Sequence, residues 1–109
     1  MAKVAVVILN WNGREMMRQF LPSVITYSQA ADIVVADNGS TDGSSDMLMS
    51  DFSEVRRVQL DRNYGFAEGY NQALVALLRQ YRSEGEALPK YYVLLNIDVE
   101  ATPEWLTIL

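Results

Sequence analysis

The sequence predicts an α/β protein of Rossmann-like architecture, with a mostly parallel sheet and helices on both faces. Three observations carry this. Short apolar runs at residues 4–9, 33–36, 55–60 and 91–95 alternate with stretches of helical periodicity. The connections between them are short, which implies right-handed crossovers and parallel pairing. Each run also ends in a cluster of Asn, Asp, Gly or Ser, so the polar residues gather at one end of the strands.

Residues 4–9 are continuously apolar and mostly β-branched, the pattern of a central strand covered on both faces, and Asn10-Trp11-Asn12-Gly13 stops the run with turn formers. From Arg14 onward, Met16, Met17, Phe20, Leu21, Val24 and Ile25 recur at helical spacing, with Pro22 marking a kink or a break between two short helices. Residues 33–36 form a second strand ending at Asp37. The turn at residues 38–43 carries hydroxyls and a carboxylate able to cap a short helix over residues 44–50. Residues 55–60 read as a third strand, and Arg56 and Arg57 place it near the sheet edge. After the turn at residues 61–65, Phe66, Tyr70, Ala73, Leu74, Leu77, Leu78 and Tyr81 mark one apolar helix face, opposite Glu68, Gln72, Arg79 and Arg82. A polar loop then leads to the strand at residues 91–95, and Thr102-Pro103-Glu104 reads as a helix start. That helix is cut after barely two turns with Trp105, Leu106, Ile108 and Leu109 apolar, so the chain reads as the front part of a longer protein, with a surface there for self-association.

The chain has 109 residues, half of them hydrophobic, enough for one domain with a single core. It contains no Cys and no His, which removes thiol nucleophiles, imidazole acid-base catalysis and Cys/His zinc sites. Any general base is then a carboxylate, or less readily a Lys or Tyr, and any metal binds through oxygen. The lack of Cys fits a reducing cytosol. A net charge of -5 is a poor basis for holding nucleic acid by counterion release, and no apolar stretch has the length of a membrane helix.

In a parallel sheet the carboxyl ends of the strands share one edge, where ligands bind. Residues 10–13, 37–42, 61–65 and 96–100 all fall there. Any one of these loops is explained by turn and cap chemistry; four together point to a site. Asn96, Asp98 and Glu100 are spaced so that an extended segment turns all three to one side, and hard oxygen donors in that pattern suit Mg²⁺ or Mn²⁺. Asp37 ends a buried strand where its carboxylate either caps the next turn or accepts from a ligand. The start of the strong helix, at Asn63-Tyr64-Gly65-Phe66-Ala67 beside Arg62, offers free N–H groups to an anion. Neither a P-loop nor a dinucleotide-binding glycine pattern is present. An acidic protein that binds a diphosphate needs a local cation, and a divalent metal at Asp98 supplies one.

Four blocks carry a family resemblance: Val7-Ile8-Leu9-Asn10-Trp11-Asn12-Gly13; Val35-Ala36-Asp37-Asn38-Gly39-Ser40-Thr41-Asp42-Gly43-Ser44; Asn63-Tyr64-Gly65-Phe66-Ala67-Glu68-Gly69-Tyr70-Asn71; and Leu94-Leu95-Asn96-Ile97-Asp98-Val99-Glu100 with Thr102-Pro103-Glu104-Trp105-Leu106. In order and spacing the chain resembles the family 2 glycosyltransferases of the GT-A fold, in particular the rhamnosyltransferase-like branch that builds cell-surface polysaccharide. The resemblance implies that residues 1–109 are the nucleotide-sugar-binding portion of such a domain. Asn10 and Asn12 would lie against the nucleotide, and Asp37 would bond the pyrimidine of a UDP- or dTDP-sugar. Asn63, Gly65 and Phe66 would line the donor pocket, with Asn71 facing it from the helix and Asn96 at its rim. Asp98 matches the second acidic position of the family's Asp-x-Asp motif and would hold Mg²⁺ or Mn²⁺, with Glu100 as helper.

The activity implied is inverting, metal-dependent transfer of a sugar to a hydroxyl of a saccharide or lipid-linked acceptor, in the cytoplasm or at the inner face of its membrane. Asn96 departs from the family's pattern by replacing the first acid of Asp-x-Asp, leaving Asp98 with more of the metal binding. The carboxylate general base would lie beyond Leu109, so these residues are expected to bind donor but to transfer sugar poorly. Two other readings stand beside this one. A sugar-nucleotide nucleotidyltransferase expects a Gly-rich basic loop after the first strand, which residues 10–14 match poorly; a non-catalytic nucleotide-binding domain keeps the loops without the chemistry.

Overall fold

The computed structural model describes residues 4–96. Seven elements follow one another: β1 (Val4–Asn10), α1 (Arg14–Tyr27), β2 (Ala31–Asp37), α2 (Ser44–Asp51), β3 (Arg56–Gln59), α3 (Phe66–Ser83) and β4 (Tyr91–Leu95). The strands form one sheet in the order β3-β2-β1-β4, every pair parallel. Among the described residues the amphipathic β3 is therefore an edge strand, as its two arginines predict, while the continuously apolar β1 and β2 take the centre.

Alternation along the central strands sorts the core into two layers. Val6, Ile8, Ile33 and Val35 turn to one face and pack with Met17, Leu21 and Val24 of α1 and Met47 and Leu48 of α2. Ala5, Val7, Val34 and Ala36 turn to the other, against Tyr70, Ala73, Leu77 and Tyr81 of α3. Burying such a Val, Ile or Leu side chain contributes about 1.5–3 kcal/mol, so one sheet with a layer on each face suffices for a core.

Two expectations need correction. Pro22 neither breaks nor divides its segment, because α1 is a single helix from Arg14 to Tyr27 with Pro22 inside it. The carbonyl that a proline at this position deprives of its partner is that of Arg18, a residue on the exposed side of the helix. Phe66 does not join the core stripe of α3, since it opens the first turn and is 69% exposed. The expected strand-end acids Asp98 and Glu100 and the helix from Thr102 lie outside the described residues.

From β1 the chain moves through β2 to β3 on one side, and α3 then carries it back across the opposite face to β4 on the other side of β1. That reversal leaves a crevice at the carboxyl ends of β1 and β4, the usual ligand position in an open α/β sheet.

Candidate functional site

The loops after β1 and β2 are bonded together side chain by side chain. In the register of β1 and β2, Asn10 stands opposite Asp37, and both are fully buried. The Asn10 amide donates to Asp37 Oδ1 at 2.9 Å and to Ser40 Oγ at 3.2 Å, while its oxygen accepts the Gly13 N–H at 3.0 Å. Asp37 Oδ2 accepts the Ser40 N–H at 3.0 Å and the Gln59 amide at 2.9 Å. Burial alone would raise the Asp37 pKa, but the donors from Ser40, Gln59 and Asn10 outweigh it and hold the carboxyl below its ordinary range.

Asn12, in a left-handed conformation at φ 50°, extends the seam. Its N–H donates to Ser40 Oγ at 2.9 Å and its side-chain oxygen accepts the Thr41 N–H at 2.7 Å. Asp42 accepts the Arg14 N–H at 3.1 Å and the Ser44 N–H at 3.0 Å, capping the first turns of both α1 and α2. Its carboxyl too sits below its ordinary value: slight burial raises it, and the bonds from Ser44 and Arg14 more than offset that.

Asn38, 2% exposed, does the same for the loop before α3. Its amide donates to Asn63 Oδ1 at 3.2 Å and to the Gly65 carbonyl at 3.0 Å, and its oxygen accepts the Tyr64 N–H at 3.0 Å. Gly39 lets the two loops touch, since a Cβ there would lie 2.6 Å from the Arg62 carbonyl carbon. Arg62, the cation beside the helix start, lays its guanidinium over the Tyr64 ring at 4.7 Å.

The crevice is a cleft of about 450 Å³, lined by Leu9, Trp11, Met16, Asn38, Asn63, Gly65, Phe66, Tyr70 and Asn96. Of the residues expected at a donor pocket, Asn63, Gly65, Phe66 and Asn96 meet here, while Asn10, Asn12 and Asp37 form the adjoining seam. Asn71 stands outside the lining, exposed on α3 with its amide 3.4 Å from Glu68 Oε1. One helical step separates it from Tyr70, whose ring packs edge-on to Phe66 at 5.1 Å and whose hydroxyl donates to the Leu95 carbonyl at 3.1 Å. That bond fastens α3 to the end of β4, one residue before Asn96.

Trp11 and Asn38 belong to the loops that the sequence places at the site, with no individual role read for either, and Gln59 lies outside those loops. Trp11 is 54% exposed at the cleft, an uneconomical place for a large ring unless something covers it. That pairing of an exposed aromatic with a post-strand turn was a usable signal. Gln59 at a strand end had none, because its importance comes from the register that sets β3 beside Asp37.

Among the described residues no Lys or Arg lines the cleft. Among the described residues no group of three or more acidic side chains is placed to hold a metal. Asp98 and Glu100 lie outside them.

A parallel sheet with a largely apolar, aromatic-walled cleft dotted with asparagines at the reversal of its strand order is the arrangement in which open α/β sheets take their ligands. The sequence matches the family described as "Glycosyl transferase family 2" over residues 5–109, and the chain belongs to that family. No curated protein matches it. A crystal structure of S. aureus TarS 1–349 in complex with UDP-GlcNAc is similar at a TM-score of 0.74 and 20% identity, covering 97% of this chain and 29% of that one. The same TarS portion in complex with UDP gives 0.73 at 20% identity, covering 97% and 30%. The mannosyltransferase PcManGT from Pyrobaculum calidifontis, in complex with GDP-Man and Mn²⁺, gives 0.70 at 18% identity, covering 95% and 30%. The fold is thus the GT-A fold of these glycosyltransferases, and the chain spans about three tenths of the length of the chains it matches here.

Proposed function

We propose that this chain is the donor-binding portion of a glycosyltransferase that moves a sugar from a nucleotide diphosphate to an acceptor hydroxyl with inversion. The observation that carries the reading is the placement of the cleft, which puts Asn38, Asn63 and Asn96 beside Trp11 and Phe66 at the carboxyl ends of β1 and β4. Asparagine amides both donate and accept, so they suit ribose and sugar hydroxyls, and aromatic walls suit the apolar face of a sugar ring. The donor lies along the sheet edge, its base towards Asp37 and the Asn10 and Asn12 seam, its diphosphate and sugar towards Asn96.

A diphosphate in a cleft to which the described residues bring no cationic side chain needs a cation from elsewhere. The chain has no Cys or His, so hard oxygen donors are what it offers a metal, which fits Mg²⁺ or Mn²⁺; the similar mannosyltransferase structure in complex with GDP-Man is also in complex with Mn²⁺. Asp98, helped by Glu100, is the residue we assign to that ion. When bound, it supplies charge stabilisation for the departing nucleotide diphosphate. This chain's own residues bind and orient the donor: the seam holds the base end, and the Tyr70 bond to Leu95 sets the position of β4 next to Asn96.

The acceptor is a saccharide or lipid-linked hydroxyl, and the carboxylate base is supplied from outside residues 1–109. Work at the cytoplasmic membrane face and a role in cell-surface polysaccharide synthesis belong to the same proposal. Among the described residues no helix is long and apolar enough to cross a membrane.

Calorimetric titration of UDP, dTDP and GDP, each with Mn²⁺, with Mg²⁺ and with chelator, tests the reading. Saturable binding that the chelator abolishes is the expected result. Binding unaffected by chelator contradicts the metal assignment.

A further inference from the structure

Asp37 is expected to meet the donor's base, yet it is 0% exposed and its carboxylate already accepts three hydrogen bonds. No ligand atom reaches it unless one of those partners leaves. Two are fixed. Asn10 is itself fully buried and locked by the Gly13 N–H, and the Ser40 N–H is part of the backbone turn joined to Asn12 through the Ser40 hydroxyl. The third, Gln59, is the exposed last residue of β3, at the edge of the described sheet. Its amide reaches Asp37 Oδ2 at 2.9 Å and the Leu60 carbonyl at 3.0 Å. Its oxygen is held by the Ser45 hydroxyl at 2.9 Å and the Arg57 guanidinium at 3.4 Å.

We propose that Gln59 is the exchangeable partner of Asp37: its carboxamide covers, in the free protein, the carboxylate oxygen that an imide N–H of the donor's nucleobase takes on binding. The inference rests on the donor-binding reading and adds to it a specificity-determining residue. An ionised carboxylate only accepts, so the group that replaces a glutamine N–H must also be a donor. Uracil and thymine present one ring N–H, guanine presents another beside an amino group, and cytosine presents a bare ring nitrogen at the equivalent place. The exchange therefore favours the first three bases over cytosine, which has only its exocyclic amino group to donate and would turn a bare ring nitrogen towards the carboxylate. It also makes Gln59 a competitor, whose removal strengthens binding, where a residue that merely supported the site would weaken it when lost.

The test is titration of UDP and of CDP, with Mn²⁺ present, into the 109-residue chain and its Gln59→Ala and Ser45→Ala variants, each checked for a cooperative thermal transition. Gln59→Ala is expected to bind UDP roughly fivefold more tightly, the equivalent of one ordinary hydrogen bond no longer exchanged, with CDP affinity unchanged. Ser45→Ala, which frees the Gln59 oxygen and also removes the hydroxyl that accepts from the Arg57 guanidinium at 2.9 Å, moves UDP affinity the same way by less, and it decides the matter should Gln59→Ala not fold. UDP affinity unchanged or weakened in the variants overturns the exchange. Equal UDP and CDP affinity in the unaltered chain overturns base reading by Asp37 while leaving nucleotide binding intact, and no binding of either removes the donor-binding reading itself.

Discussion

Asn10 and Asp37 are the last register pair of two parallel central strands, and the Asn10 amide donates to the Asp37 carboxylate at 2.9 Å with both side chains fully buried. A buried carboxylate is tolerated because each oxygen is answered by a donor, and the loops that answer it are those that build the site. Stability and site geometry are therefore coupled at this pair.

Asn10→Ala leaves Asp37 Oδ1 and the Gly13 N–H without partners in a dry setting. The expected cost is about 2–3 kcal/mol, the desolvation of a buried charged acceptor left unmade. Urea unfolding measures it, and a loss under about 0.5 kcal/mol, the range of ordinary surface changes, contradicts the account.

Acid destabilises the protein through the same group. The pKa of Asp37 in the folded state lies below its ordinary 3.8, as does that of Asp42. Their hydrogen bonds thus add stability at all pH above that value, and this is lost as pH falls through it towards the folded pKa values. The melting temperature is expected to hold between pH 7 and about 5 on their account and to drop below about 4. Asp37→Asn should melt lower at neutral pH and show a shallower acid decline.

The two central strands are legible because a strand buried on both faces must be apolar throughout, and few other segments look like residues 4–9 or 33–36. The four polar loops were legible because strand direction alone sends them to one edge. What could not be read was how those loops bond one another, since Asn12 meeting Thr41 or Asn38 meeting Asn63 depends on register and loop path rather than on spacing. Periodicity puts Phe66 on the core stripe because it cannot tell that the first turn of α3 overhangs the cleft, which is where the family resemblance expects it. Asn71 was placed in the pocket by motif, and one helical step carries it outside the lining.

Gly39→Ala separates close approach from backbone conformation. Both Gly39 and Gly85 have positive φ, 77° and 70°, but only at Gly39 would a Cβ meet backbone atoms, the Arg62 carbonyl carbon at 2.6 Å. Gly85→Ala is expected to cost about 1–2 kcal/mol from conformation alone. Gly39→Ala should cost clearly more in chemical denaturation and should also weaken nucleotide binding, because it drives the β3–α3 loop from Asn38. Equal costs at the two positions contradict the packing described.

Arg56 tests independence of the two ends of the sheet. It lies at the start of β3, bonded to Asp32 at 2.9 Å, Glu84 at 2.9 Å and Glu86 at 2.8 Å, with its guanidinium 4.4 Å from the Tyr81 ring centre. Arg56→Met leaves a partly buried Asp32 with the Tyr81 hydroxyl but no cation beside it, and two glutamates near it. A loss of about 1–3 kcal/mol is expected in unfolding, with UDP affinity unchanged. A change in UDP affinity with stability retained would place Arg56 in the binding machinery.

The central claim is that the nucleotide sits in the crevice at the carboxyl ends of β1 and β4. The most direct measurement is an amide chemical-shift map of the chain titrated with UDP and Mg²⁺. Saturating shifts are predicted at Asn38, Asn63, Gly65, Phe66 and Asn96, with the β2 and β3 starts around Asp32 and Arg56 unmoved. Shifts confined to the Asp32 and Arg56 end, or none in a folded chain at saturating nucleotide, would contradict it.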